Sequence, residues 1–321
     1  MHSLTPSPPP WPKPRSNEVL RGVLRTVALM GTFVTIHVVG QKLGSSEVEE
    51  AVDRAFEWFR RVEECYTRFE PRSELMQLTA RVGVPVRVSA ILYEAVQFAL
   101  AVAEESGGAF DPTVGYAMEA RGFNREYRNG KVIETALDSS RSVSYRDIRL
   151  DPEAKTITLL RPLILDLGAV AKGLAVDLAA RELRPFENFA INAGGDLYLG
   201  GCNPDGEPWS IGIRHPRKDH ELIDCLRISD RAVCTSGDYE RRSANEEGHH
   251  ILNPRRGSSA DELASTTVIA PNAMLADALA TAAFVLGPAD GIELFNRMGV
   301  DGLIISPALE SYMTRGLRDY H

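Results

Sequence analysis

The chain has 321 residues, of which 44% are hydrophobic and 25% charged, and its formal net charge is −8 at pH 7. That balance suits a soluble globular protein with room for a sizeable core. The negative charge, with no run of Lys or Arg, excludes a general electrostatic grip on nucleic acid. Cys65, Cys202, Cys225 and Cys234 form no CxxC pair, so reduced structural thiols are expected.

Residues 1–18 are rich in proline and lack a basic region followed by an apolar run. They are expected to form a disordered tail rather than a secretory signal. A cytoplasmic protein with one domain over residues 19–321 is the simplest expectation. Val23 to Val39 predicts two strands around Met30-Gly31-Thr32, the second alternating cleanly. Glu47 to Cys65 predicts an amphipathic helix with Val52, Phe56, Phe59 and Val62 on its apolar stripe. Ser73 is a candidate N-cap, and Ser89 to Glu105 predicts a second long helix.

The Ser106-Gly107-Gly108 stop leads into Ala109-Phe110-Asp111-Pro112. A glycine pair before Asp-Pro suits a ligand loop and a plain turn equally well. Residues 116–160 are polar, with a short strand pair at 148–150 and 156–160. Leu163-Ile164-Leu165 is expected as a strand running into Asp166-Leu-Gly-Ala-Val-Ala-Lys-Gly173, which opens a helix ending near Leu183. Two glycines, Lys172 and a helix N-terminus describe an anion site. The spacing matches neither the Walker pattern nor GxGxxG, so no standard nucleotide fold is indicated.

Phe189 to Gly201 predicts a hairpin about Gly194-Gly195-Asp196, a turn too common to mean much alone. Trp209 to Arg214 is another strand, and Arg231 begins one that ends in a polar turn. His249 and His250 are adjacent and must point opposite ways, so at most one faces any given site. Thr266 to Ile269 is β-branched and reads as a buried strand, followed by the N-cap Asn272 and an Ala-rich helix ended by Gly287-Pro288. The apolar run between Asp277 and Asp290 falls short of the ~20 residues a membrane span needs. One more helix near 291–298 and a strand at 302–305 complete an α+β protein with a mostly antiparallel sheet.

Asp277 and Thr281 are four residues apart and so share one face of the Ala-rich helix. A carboxylate and a hydroxyl stacked in apolar company suit a hard cation such as Mg²⁺. An Asp that only complements a helix dipole, beside a Thr that only packs, is the competing reading.

The order of these pieces resembles the ApbE family of flavin transferases, which move FMN from FAD onto a Thr or Ser hydroxyl of a target protein. Met30-Gly31-Thr32, Ser73-Glu74, Phe110-Asp111-Pro112-Thr113, the 166–173 segment, Gly194-Gly195-Asp196, Thr235-Ser-Gly-Asp-Tyr239, His250-Ile251 and Ala276-Asp277 with Thr281 carry it. The resemblance implies a Mg²⁺ site, with Mn²⁺ as the alternative ion, made by Asp277, Thr281 and the main-chain oxygens of Ala169 and Ala280. It implies FAD contacts at Met30, Phe69, Ala109, Phe110, Asp111, Asp166, Lys172 and Ile251. It implies a catalytic role for His250, with Asp277 the other candidate base. A carboxylate committed to a metal is the poorer base, which favours His250. Phe69 stands where the family often has Tyr. The implied partner is an acceptor flavoprotein with an exposed segment carrying Asp shortly before Ala-Thr or Ala-Ser. A metal-dependent FAD pyrophosphatase and a non-catalytic FAD-binding protein are the alternatives.

Overall fold

The computed structural model describes residues 22–40, 45–135, 143–240 and 248–321. The Pro-rich tail expected at 1–18 lies outside the described residues. The chain is organised by an eight-stranded sheet. Its strands in spatial order are Gly22–Leu29, Thr32–Val39, Asn188–Ala193, Asp196–Gly200, Arg231–Gly237, Ser265–Ala270, Asp301–Ile305 and Ser311–Met313. Every neighbouring pair among them is antiparallel, as the hairpin signals in the sequence predict.

Strand alternation sorts the apolar residues into two cores. Val34, Ile36, Val38, Ile191, Val268 and Ile304 face the helices. The neighbours Ala190, Ile269, Leu303 and Ile305 face the other way. There they are covered by a hairpin of Trp209–Arg214 with Leu222–Ile228. The helix Ser45–Tyr66 buries the predicted Val52, Phe56, Phe59 and Val62.

Three antiparallel connections bring one set of residues to a single end of the sheet. The first hairpin turns through Met30 (φ 52°) and Gly31 (φ 73°), the left-handed pair that suits the twist of its strands. The second turns through Gly194 and Gly195. Val34 pairs with Ala193, so the two turns abut. A Cβ on Gly194 would lie 2.3 Å from Thr32 Oγ1, which leaves room only for glycine. Gly237 pairs with Ser265 at the same end.

The helices Gly168–Leu183 and Ala273–Leu286 cross behind this end. A Cβ on Gly173 would lie 2.5 Å from Ala273 O, so Gly173 lets two backbones touch. Asn272 Oδ1 accepts the Leu275 N–H at 2.9 Å, confirming the expected cap. Asp177 reaches across from the other helix and accepts the N–H groups of Ala273 (2.7 Å) and Met274 (2.9 Å).

Burial raises the Asp177 carboxyl from 3.8 to about 6, against the lowering effect of those two N–H groups. The native state then holds this proton more tightly than an unfolded chain does. The group's contribution to stability is full below pH 3.8 and is lost as pH rises through about 6. Urea unfolding of the chain and of Asp177→Asn between pH 4 and 7 is expected to show the native Asp losing up to about 3 kcal/mol relative to Asn. A constant difference across that range would contradict the buried proton.

One expectation needs correction. Leu163–Leu165 is not a strand. It is a buried extended segment tied to the neighbouring loop by Gly115 N–H to Ile164 O (3.2 Å) and Asp166 N–H to Pro112 O (2.8 Å). The polar 116–160 region begins inside a short helix, Gly115–Ala120, and its strand pair extends to a third strand, Val86–Arg87. That strand has two residues, too few to show a period.

Candidate functional site

A cleft of about 720 Å³ opens at the sheet end where the turns meet, a volume within the range of small-molecule sites. Met30, Phe69, Ala109, Phe110, Asp111, Asp166, Ala169, Lys172, His250, Ile251, Asp277 and Thr281 all line it. Ala280 is fully buried beside Thr281 on the same helix. Residues from six separate segments of the chain thus converge on one cavity.

At the back of the cleft Asp277 is 4% exposed, and its Oδ2 has no hydrogen-bond partner among the described residues. Among the described residues the cation paired with it is Lys172 Nζ at 3.6 Å, too long for a hydrogen bond. Lys172 pairs with Asp196, which is itself buried. Thr281 Oγ1 lies 3.3 Å from Ser236 Oγ. Ala169 departs from helical geometry (φ −92°, ψ 16°) within the first turn of its helix.

A buried carboxylate oxygen with no hydrogen bond, a hydroxyl one helical turn away and a non-helical backbone residue together fit a hard cation. Among the described residues no group of three or more His, Cys, Asp or Glu could hold a metal. One carboxylate with neutral oxygens is what Mg²⁺ uses when a substrate's phosphates complete its shell.

The mouth of the cleft is built around Arg68, which is 7% exposed. Its Nε lies 2.8 Å from Asp166 Oδ2 in an ion pair, a second nitrogen lies 3.7 Å from Glu119, and a third donates to Phe123 O at 3.2 Å. Its guanidinium stands 5.4 Å from the centre of the Phe69 ring. Asp166 Oδ1 accepts the Gly168 N–H at 2.8 Å. Arg68 therefore fixes both the aromatic wall and the start of the Lys172 helix.

The Gly107-Gly108 pair ends the helix Ala90–Glu105. Both residues have φ > 0, and Gly108 N–H bonds Ala103 O at 2.7 Å. This stop delivers Ala109, Phe110 and Asp111 into the cleft. The Asp111 carboxylate is taken up by the loop itself, accepting from Thr113 N (2.9 Å), Thr113 Oγ1 (2.8 Å) and Tyr145 N (3.0 Å). Burial raises its pKa against these hydrogen bonds.

The adjacent histidines do point apart. His249 is buried, with Nε2 2.7 Å from Ala260 O and its ring edge-on to Phe284, whereas His250 lines the cleft. The contact with a carbonyl places the His249 proton on Nε2.

A larger cavity of about 980 Å³ lies beside the 107–111 loop, with Arg121, Arg146, Arg255 and Tyr116 in its wall. It shares Asp111, Val114, Leu252 and Pro254 with the cleft. It contains none of Asp277, Thr281, Lys172 or His250, so the smaller cleft is the candidate site.

Lys172 and Gly173 differ from a simple anion loop. The ammonium is already shared between two carboxylates, and the glycine serves the helix crossing. Sequence patterns assign no role to Arg68, Asp177 or Ser236. Asp196 was visible as the end of a common turn and as part of a motif that carries the resemblance, with no role of its own.

Comparison with known proteins points to one family. The model of the ApbE family matches residues 30–304. An FAD:protein FMN transferase of Vibrio cholerae is 30% identical over 287 residues, covering 86% of this chain and 85% of that protein. A protein of the same name from Klebsiella pneumoniae is 31% identical over 295 residues, 88% of each. The crystal structure of the ApbE protein of Thermotoga maritima has a TM-score of 0.82 and 31% identity, covering 94% of this chain and 99% of that one. The flavin transferase ApbE from V. cholerae has a TM-score of 0.81 and 25% identity, covering 94% and 100%.

Proposed function

This chain belongs to the ApbE family, and on that premise we propose that it transfers FMN from FAD to a Thr or Ser hydroxyl of an acceptor protein, releasing AMP. The observation that carries the reading is the buried Asp277 Oδ2 without a hydrogen bond, set in a cleft with Thr281, Lys172 and His250. A carboxylate withheld from water and from hydrogen bonds is costly unless a cation completes it.

Residues 19–321 are taken as one unit, since both cores pack on the same sheet. Phe69, held by Arg68, offers an aromatic face for the isoalloxazine. Ala109, Phe110, Asp111 and Ile251 are suited to contact FAD through the main chain and apolar surface, because the Asp111 carboxylate is already engaged. Met30 adds apolar surface from its turn, and Asp166 orders the opening of the Lys172 helix.

Asp277, Thr281 and the carbonyls of Ala169 and Ala280 would hold Mg²⁺, or Mn²⁺ in its place, which supplies charge neutralisation to the diphosphate. His250 takes the proton of the acceptor hydroxyl as its oxygen bonds the FMN phosphorus. The phosphorus–oxygen bond to AMP breaks, and AMP leaves as the phosphate. Lys172 stabilises the charge that develops on the diphosphate.

Incubation of the chain with FAD, Mg²⁺ and lysate from its own source is expected to give a flavin-fluorescent band on a denaturing gel. Release of AMP and free FMN with no labelled band would replace the transferase with the pyrophosphatase. FAD binding without turnover would leave only a flavin carrier. Among the described residues no helix is long and apolar enough to cross a membrane.

A further inference from the structure

Lys172 is held between two carboxylates of different strands and helices. It pairs with Asp196, whose side chain is 3% exposed, and stands 3.6 Å from Asp277 Oδ2, whose side chain is 6% exposed. The two contacts are unequal, since the second is outside hydrogen-bond range. Asp196 opens the strand Asp196–Gly200 directly after the Gly194-Gly195 turn, and Gly195 N–H donates to Asn192 Oδ1 at 2.9 Å. The carboxylate that holds the ammonium is therefore anchored in the sheet rather than in a loose loop.

We propose that Asp196 is a positioning residue that holds the Lys172 ammonium off Asp277, so that Asp277 Oδ2 stays available to a divalent cation. This rests on the reading of Asp277 as a cation ligand and deepens it. An ammonium and a divalent cation compete for the same carboxylate, and a nearby positive charge also repels the metal. With Asp196 charged, Lys172 has a partner elsewhere and its repulsion is offset. Without that charge, Asp277 is the remaining carboxylate within reach, and Lys172 closes on it. A metal must then displace a buried ion pair.

The consequence is a coupling of opposite signs. Loss of the Asp196 charge weakens cation binding only while Lys172 is present to take its place. A residue that merely supports the fold has no such dependence, because removing Lys172 as well adds damage.

The test is binding of Mn²⁺ alone to the FAD-free chain, followed by electron paramagnetic resonance of the free ion. Asp196→Asn is expected to weaken binding by about tenfold or more. The double variant Asp196→Asn/Lys172→Met is expected to return to within about twofold of the unaltered chain. Lys172→Met alone is expected to bind Mn²⁺ at least as tightly, and it carries the test should Asp196→Asn fail to fold. Unchanged binding by Asp196→Asn, a double variant as weak as the single one, or weaker binding by Lys172→Met would overturn the proposal. Binding that is unaffected by Asp277→Asn would instead overturn the cation site itself, and the inference with it.

Discussion

Asp277→Ala is expected to lower FMN transfer by about 10³-fold or more at any Mg²⁺ concentration, while the melting temperature does not fall. The two halves of that result come from the same atom. Asp277 Oδ2 is buried without a hydrogen bond and meets Lys172 Nζ only at 3.6 Å, so in the metal-free chain the carboxylate adds little to the fold. Its helix does not need it, because Asn272 and Asp177 cap the N-terminus. Alanine also has the best helix propensity. The substitution does leave Lys172 with Asp196 as its one close carboxylate partner, an ion pair that persists. Activity and stability should therefore separate, as they do where a buried, poorly satisfied charge is kept for function. Chelation of divalent ions should give the same loss in the unaltered chain. Full activity of Asp277→Ala with Mg²⁺ present would sink the metal assignment. Lost activity together with a large drop in melting temperature would show a structural role instead.

Features written within a few residues were legible in the sequence. The Met30-Gly31 turn, the Asn272 cap and the Asp277–Thr281 spacing each depend on local geometry, and each is found as expected. The antiparallel sheet followed from the hairpins. Arg68 was not legible, because its meaning lies in Asp166 and Glu119, far along the chain, and a buried Arg between Thr67 and Phe69 has no local signature. Asp196 acquires its role only through Lys172, which the turn pattern cannot show. Gly173 was ambiguous for a physical reason, since a phosphate and a crossing helix both exclude a Cβ. The same holds for Leu163–Leu165, where an apolar run shows burial but not whether a strand lies beside it.

The purified chain given FAD and Mg²⁺ alone is expected to stay unlabelled by intact mass, while an added acceptor protein becomes fully labelled in the same time. Two internal stretches place Asp shortly before an Ala-Ser or Ala-Thr pair: Asp261 before Ala264-Ser265, and Asp277 before Ala280-Thr281 inside the helix Ala273–Leu286. Ser265, Thr266 and Thr267 lie in a central strand of the sheet, paired on both sides, at 0%, 0% and 1% exposure. Thr267 Oγ1 is further engaged with Thr235 Oγ1 at 2.9 Å. In-line attack requires a hydroxyl within about 3–3.5 Å of the phosphorus, opposite the departing AMP. A strand hydrogen-bonded on both edges cannot leave the sheet to reach that position without unfolding the core. A flexible segment of another protein can enter the cleft from solvent past Phe69 and His250, so the transfer is expected in trans. An acceptor whose Thr or Ser is replaced by Ala should remain dark under the same conditions. Stoichiometric FMN on this chain, located by peptide mapping, would show that the acceptor hydroxyl is internal and that the strand is not the barrier it is taken to be.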